Sequence, residues 1–203
     1  VTSTVLGVSA TASGGVGFDF QGLNLDLINY PQPRDTSLTN YITHGEFTGG
    51  TGGIAVGQSS VNADGGRGVF TTLQLMTISN GTFRGGAGGS VTASSSVEGS
   101  AKGGDGFYSF QNHKLTILDG EFYGGNAGIV NGVNDENGVG LRAVDTDVSI
   151  KNGNFYGRGV IFSSETLNST INIDGGTFDS INLLASSSNL SSAVTDETGS
   201  GSL

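Results

Sequence analysis

A six-residue phrase, Ile-x-x-Gly-x-Phe, returns five times along this chain, and few folds accept such a repeat. Its copies are Ile42–Phe47, Ile78–Phe83, Ile117–Phe122, Ile150–Phe155 and Ile173–Phe178. Four of them carry an apolar residue two places before the Ile: Met76, Leu115, Val148 and Ile171. A second element, Gly-x-Gly followed by apolar residues, precedes each phrase. It begins at Gly15, Gly66, Gly104, Gly138 and Gly157. The motif phenylalanines stand 36, 39, 33 and 23 residues apart. Self-similarity at a period of about 20–50 residues marks a stacked array whose single units cannot bury their own apolar faces.

The phrase itself reads strand, corner, strand. Leu115-x-Ile117, Val148-x-Ile150 and Ile171-x-Ile173 alternate with period two, which puts alternate side chains on one face of a strand. Ile and Phe lie an odd number of residues apart, so a straight strand would send them to opposite faces. A bend at the Gly lets both point inward, and Gly alone accepts φ > 0 there at no steric cost. Asn80, Asp119 and Asn152 stand just before that Gly, as turn chemistry favours. The Gly-x-Gly-apolar element supplies a third short strand. The expected fold is therefore all-β, a parallel solenoid with three short strands per coil. Ladders of Ile42, Ile78, Ile117, Ile150, Ile173 and of Phe47, Phe83, Phe122, Phe155, Phe178 would fill its core. The longer intervals hold inserts rich in Gly, Ser, Ala and Asn, the longest at 86–104. These are expected to be surface loops, since a buried loop would strand backbone polar groups. Both prolines fall between Tyr30 and Asp35, which reads as an excursion rather than a central strand.

This pattern resembles the right-handed parallel β-helix proteins of the pectin-lyase-like type over about residues 13 to 180. It is closer to their surface-protein and adhesin relatives, with Ile-x-x-Gly-x-Phe repeats, than to their enzymes. The resemblance implies a right-handed coil and says nothing about function.

Composition excludes several alternatives. Glycine fills 37 of 203 positions, about 18% against an ordinary ~7%, yet without the Gly-x-y period and abundant Pro of collagen. There is no Cys, so no disulfide framework. Eight Lys and Arg face 18 Asp and Glu, a net charge of −10. That balance disfavours nucleic acid and repels anionic polymers. No apolar run approaches the ~20 residues of a membrane-spanning helix.

Candidate chemistry is sparse. The resemblance to pectin-cleaving enzymes would imply clustered Asp with Arg or Lys on one strand face, or paired Asp with a Gly-His-Gly segment. Neither occurs, and Asp119, Asp174 and Asp179 fall in the turn register. His44 and His113 occupy different places in the repeat. No catalytic residue is assigned, and the chain is expected not to be an enzyme. Asp135 and Glu136 offer oxygen ligands near which calcium is the one cofactor left open, though without EF-hand spacing. Gly103–Gly106 lacks the nine-residue period of calcium-binding repeats. Asn80, Asn168 and Asn189 head Asn-x-Ser/Thr sequons, acceptors for glycosylation in a glycosylating secretory host. Thr77, Thr116 and Thr170 neighbour the Ile ladder, but Ser149 and Asn172 interrupt the rank that ice binding would need.

The sequence thus leads to one β-solenoid domain over 1–203, a structural repeat protein of the extracellular space or cell surface. A filament, a coat or an adhesin stalk would suit it. Its expected partners are further coils or copies of itself, end to end, and surface glycans. Residues 185–203 are expected to form either a polar end segment or the start of a further coil of a longer array. The competing expectation is a carbohydrate-binding or carbohydrate-processing β-helix with its site on the long loops.

Overall fold

The structure, a computed structural model, describes residues 2–4, 10–11, 13–21, 39–58, 60–94, 98–164 and 169–185. Among them there is no helix, and the strands form stacked parallel sheets, a β-solenoid. Three sheets wall the main coil. The Ile sheet holds Thr39–Ile42, Leu75–Ile78, Lys114–Ile117, Val148–Ile150 and Ile171–Ile173. The Phe sheet holds Glu46–Thr48, Thr82–Arg84, Glu121–Tyr123, Asn154–Tyr156 and Thr177–Phe178. The third sheet, from the Gly-x-Gly element, holds Phe18–Gln21, Val69–Thr72, Phe107–Phe110, Leu141–Val144 and Val160–Ser164. It also gains a sixth strand, Ile181–Ala185.

The register runs two ladders through the main coil. Ile42, Ile78, Ile117, Ile150 and Ile173 pair in succession, as do Phe47, Phe83, Phe122, Phe155 and Phe178. The rings stack at centroid separations of 5.4, 4.8, 4.7 and 4.8 Å, the spacing of one strand per rung. Phe83 and Phe122 also meet Phe107 of the third sheet edge to face. The corner glycines are in the left-handed region throughout: Gly45, Gly81, Gly120, Gly153 and Gly176 have φ between 116° and 143°. A Cβ at Gly81 would also lie 3.0 Å from the Phe83 ring. The corner therefore needs glycine for its dihedral and for the seat of the next aromatic side chain.

The corner between the third sheet and the Ile sheet has a different origin. Leu73, Gln111 and Asp145 take φ of 59°, 51° and 47°, a conformation that L residues adopt at a cost. A buried polar cluster holds it. The Asn112 side-chain amide donates to Thr71 Oγ1 at 2.6 Å and to Ser109 Oγ at 2.6 Å. Asn112 Oδ1 accepts from the Gln74 N–H at 2.8 Å, and the Asn112 N–H donates to Thr146 Oγ1 at 3.2 Å. Among the described residues every buried side-chain N and O atom has a partner. Replacing Asn112 with Ala leaves the Gln74 N–H and the Thr71 hydroxyl unpaired beside a strained turn, and Ser109 Oγ with only Thr146 Oγ1 at 3.3 Å. The expected loss is at least about 2 kcal/mol, since each buried unsatisfied group costs ~1–3. A urea midpoint shift worth less than about half of that would show that water replaces the amide.

The inserts are not the surface loops that composition suggests. After the Phe strand the chain leaves the main coil through Gly49–Gly53, Gly85–Gly89 or Gly124–Gly128, and it returns through Gly14–Gly17, Gly65–Gly68, Gly103–Gly106 or Gly138–Gly140. Outgoing and returning passes alternate in one stack. Its backbone hydrogen bonds run Gly50 N–H to Gly15 O, Gly66 to Gly50, Gly86 to Gly66, Gly104 to Gly86, Gly125 to Gly104 and Gly138 to Gly125, each at 2.7–2.8 Å. Bonds on each pass recur every third residue: Gly85 and Gly88 donate to the next outgoing pass, Gly86 and Gly89 to the returning one. That is the three-residue turn of a polyproline II helix, with neighbouring chains in place of water. The backbone is satisfied by its own stack, so it can be buried.

Beyond this glycine neck lies a second, smaller core of Ala55, Val61, Ala63, Val91 and Ala101. Two short sheets enclose it. One runs through Thr2–Thr4, Ile54–Gly57, Ser90–Ala93 and Ile129–Val130, the other through Ala10–Thr11, Val61–Asn62 and Gly99–Ser100. The first sheet closes with an antiparallel strand, Val133–Asn134. The turn leading to it, Asn131-Gly132, has φ of 48° and 85°, the Asn-Gly hairpin that matches strand twist. The next coil has no arm and closes directly through Gly157 and Gly159, at φ 82° and 63°. The Tyr30–Asp35 excursion and residues 186–203 lie outside the described residues.

Candidate functional site

Carboxylates were the most promising chemical groups in the sequence, and the structure employs them as ties between coils. Asp105 is buried and takes Arg142 in a two-point contact, Nε to Oδ2 at 2.7 Å and Nη2 to Oδ1 at 3.3 Å. It also accepts the Val139 N–H at 3.1 Å. Burial works to lower the Arg142 pKa, but the hydrogen bond and charge of Asp105 outweigh it and hold the guanidinium above its ordinary value. The residue considered within a calcium repeat is thus one half of an ion pair. Asp64 accepts from Ser100 Oγ at 2.6 Å and the Lys102 N–H at 2.8 Å. Asp147 accepts from the Thr170 N–H and Oγ1 at 2.7 and 2.9 Å.

Asp135 and Glu136, where calcium was left open, are similarly engaged. Asp135 accepts the Ala101 N–H at 2.7 Å and the Glu136 N–H at 2.8 Å. Glu136 lies 2.8 Å from Arg158 and 3.4 Å from Lys102. Those two cations, Arg158 first, hold its carboxyl below the usual value. Among the described residues no group of three His, Asp or Glu side chains is gathered as metal ligands would be.

The turn carboxylates behave as their register suggests. Asp119 Oδ1 accepts the Gly120 N–H at 2.8 Å, as Asn80 Oδ1 accepts the Gly81 N–H at 2.7 Å. Asp174 pairs with Lys151, and Asp179 accepts the Gly157 N–H at 2.8 Å. His44 is exposed at a motif corner, whereas His113 lies in the bend just before the Ile-sheet strand Lys114–Ile117. The repeat does not bring them to equivalent places. Asn80 is exposed at its corner; Asn168 and Asn189 lie outside the described residues. The outward rank of the Ile sheet reads Tyr41, Thr77, Thr116, Ser149, Asn172, a mixed row.

No family model matches this chain, and neither does any curated protein or solved structure.

Two features on the outer sheet faces escaped the sequence reading. On the Phe sheet, Tyr123 and Tyr156 stack at 4.6 Å, and the Arg84 guanidinium lies 4.0 Å over Tyr123. Arg84 is paired to Glu46 at 3.5 Å, and the Tyr123 hydroxyl donates to Glu121 at 3.0 Å. Burial, then that bond and the Glu121 charge, raise the Tyr123 phenol above its ordinary value. On the third sheet, Phe70, Tyr108 and Phe110 face outward, opposite the buried Val69, Thr71, Phe107 and Ser109. The Arg67 guanidinium sits 4.0 Å over Tyr108 and 5.3 Å from Phe70. The sequence signal was present in Phe-Tyr-Gly after two motifs and in Arg67 and Tyr108 beside the third strands.

Proposed function

We propose that this chain is a structural repeat protein of the extracellular space or cell surface, a rigid β-solenoid that works by stacking on further coils. The observation that carries the reading is the state of the ladders at the outer rungs. Ile78, Phe83, Ile117, Phe122, Ile150 and Phe155 are fully buried, while Ile42, Phe47, Ile173 and Phe178 are only partly so. Phe18 and Ile181, the outer members of the third-sheet ladder, are 41% and 45% exposed. Their strands pair on one side only among the described residues, and open edges of this kind invite further strand pairing. The carboxylates tie coil to coil, which supports a scaffold over an enzyme. High Gly, Ser, Thr and Asn with little charge suits an extracellular setting. Kinship with pectin-lyase-like β-helices and their adhesin relatives belongs to the same proposal, supported by the repeat and the parallel coil.

Sedimentation velocity over a range of concentrations tests it. Elongated end-to-end species should grow with concentration, and Ile181→Lys should suppress them by placing a charge on the outer rung. A monomer at every concentration, with Phe18 and Ile181 strand amides protected from exchange, would overturn it.

A further inference from the structure

We infer that the outward face of the third sheet, at Arg67, Phe70, Tyr108 and Phe110, binds a neutral polysaccharide chain. The contrast with the Phe-sheet strip carries the argument. There the tyrosines stack within 14° of parallel and the arginine has a carboxylate, so the strip is satisfied within itself. On the third sheet the rings are splayed: Phe70 and Tyr108 meet at 34° and 5.4 Å, Tyr108 and Phe110 at 46° and 6.2 Å. All three are half-buried rather than covered. Arg67 is held in place by its rings but takes part in none of the ion pairs among the described residues, which engage Arg84, Lys102, Arg142, Lys151 and Arg158. A guanidinium carries five N–H donors in a fixed plane. Here they are oriented, and no ion pair among the described residues engages them.

A pyranose matches that combination. Its C–H face packs on an aromatic ring, and its rim of hydroxyl and ring oxygens accepts hydrogen bonds. Ligand sites of this kind combine aromatic surface with a few placed polar groups, and aromatic rings on a sheet present contact area at little conformational cost. The rungs repeat along the solenoid axis at about 4.8 Å, so successive rings offer a track rather than a single pocket. Charge selects the class of chain. Arg142, next to Tyr108 in the ladder, is neutralised by Asp105, and Asp19 lies beside Phe70. Together with the net charge of −10, this disfavours a polyanion. The site lies on the main coil, not on the long inserts, and it is independent of the solenoid's ends.

Isothermal titration with cellohexaose, mannohexaose and laminarihexaose, and with polygalacturonate as the anionic control, tests the inference. At least one neutral hexasaccharide should bind. Arg67→Ala should weaken it at least about tenfold, as loss of charge-assisted hydrogen bonds implies, and Phe70→Ala should weaken it as well. Arg84→Ala, on the other face, should leave binding unchanged. All four proteins should share one urea midpoint to within a small shift, which separates loss of the site from loss of the fold. Binding of none of the three neutral sugars, of polygalacturonate alone, or equally by Arg67→Ala would overturn the inference. Sedimentation of the same samples reports assembly separately, so either result can fail without the other.

Discussion

Gly104→Ala should lower stability by more than about 3 kcal/mol, enough to leave the chain largely unfolded under mild denaturant. The added Cβ would stand 2.0 Å from the Gly66 carbonyl oxygen and 2.6 Å from its carbon. Neither neighbour can retreat. Gly104 donates to Gly86 O and accepts from Gly125, while Gly66 O already accepts from Gly86, all at 2.8 Å. Relief would have to part the two passes of the neck, breaking bonds above and below and opening the second core behind. A control lies in the same motif family. A Cβ at Gly15 meets nothing within 4 Å, so Gly15→Ala should change stability by less than about 0.5 kcal/mol or raise it slightly. Urea unfolding followed by circular dichroism reads both. Equal and small effects would mean that the neck is not close-packed.

The neck also shows where sequence reading stopped. Gly-Gly-x-Gly-Gly satisfies every rule for a loop, because glycine is the commonest breaker of regular structure. The cue to a different outcome was the spacing. Glycines at 49, 50, 52 and 53, and again at 85, 86, 88 and 89, repeat with period three, which neither strand nor α-helix has. The second core was hidden for another reason. Ala55, Val61, Ala63 and Ala101 are small and lie in, or just after, strands of only two to four residues, so only stacking reveals that they line one interior.

The main coil was legible because two physical signals coincided there. Leu115 and Ile117 alternate as a strand requires, and Gly120 marks where the chain must bend to bring Phe122 inward. The third-sheet corner had no such marker. Leu73 in the left-handed region follows no compositional rule, and its stabiliser, Asn112, comes from the next coil. The candidate binding face was obscured similarly. Arg67 meets Tyr108 41 residues later in the chain, a contact made only by stacking. Likewise Ile181–Ala185 completes the third sheet without a Gly-x-Gly lead, because Ser180 stands where glycine does elsewhere.

Phe122→Asp should abolish cooperative folding of the whole described array rather than loosen one coil. Phe122 is fully buried, stacked between Phe83 and Phe155 and meeting Phe107 at its edge. Removing the ring alone, as in Phe122→Ala, should cost about 3–5 kcal/mol. Asp adds the burial of a charge within a cluster of apolar side chains. The position of the coil then decides the outcome. Solenoid stability is a sum of weak single-coil terms and favourable neighbour interfaces, and about three repeats are needed to hold together. Phe122 lies in the middle one of five rungs of the Phe sheet, so its loss leaves two rungs on either side, neither able to stand alone. Phe178→Asp tests this directly, because it strikes an outer rung that is only partly buried. It should cost much less and leave a cooperative transition carried by the remaining rungs. Urea melts of the two variants, followed by near-ultraviolet circular dichroism of the tyrosines, separate the cases. Similar midpoints for both would show that the rungs are stable one by one, and that the ladder is not what couples them.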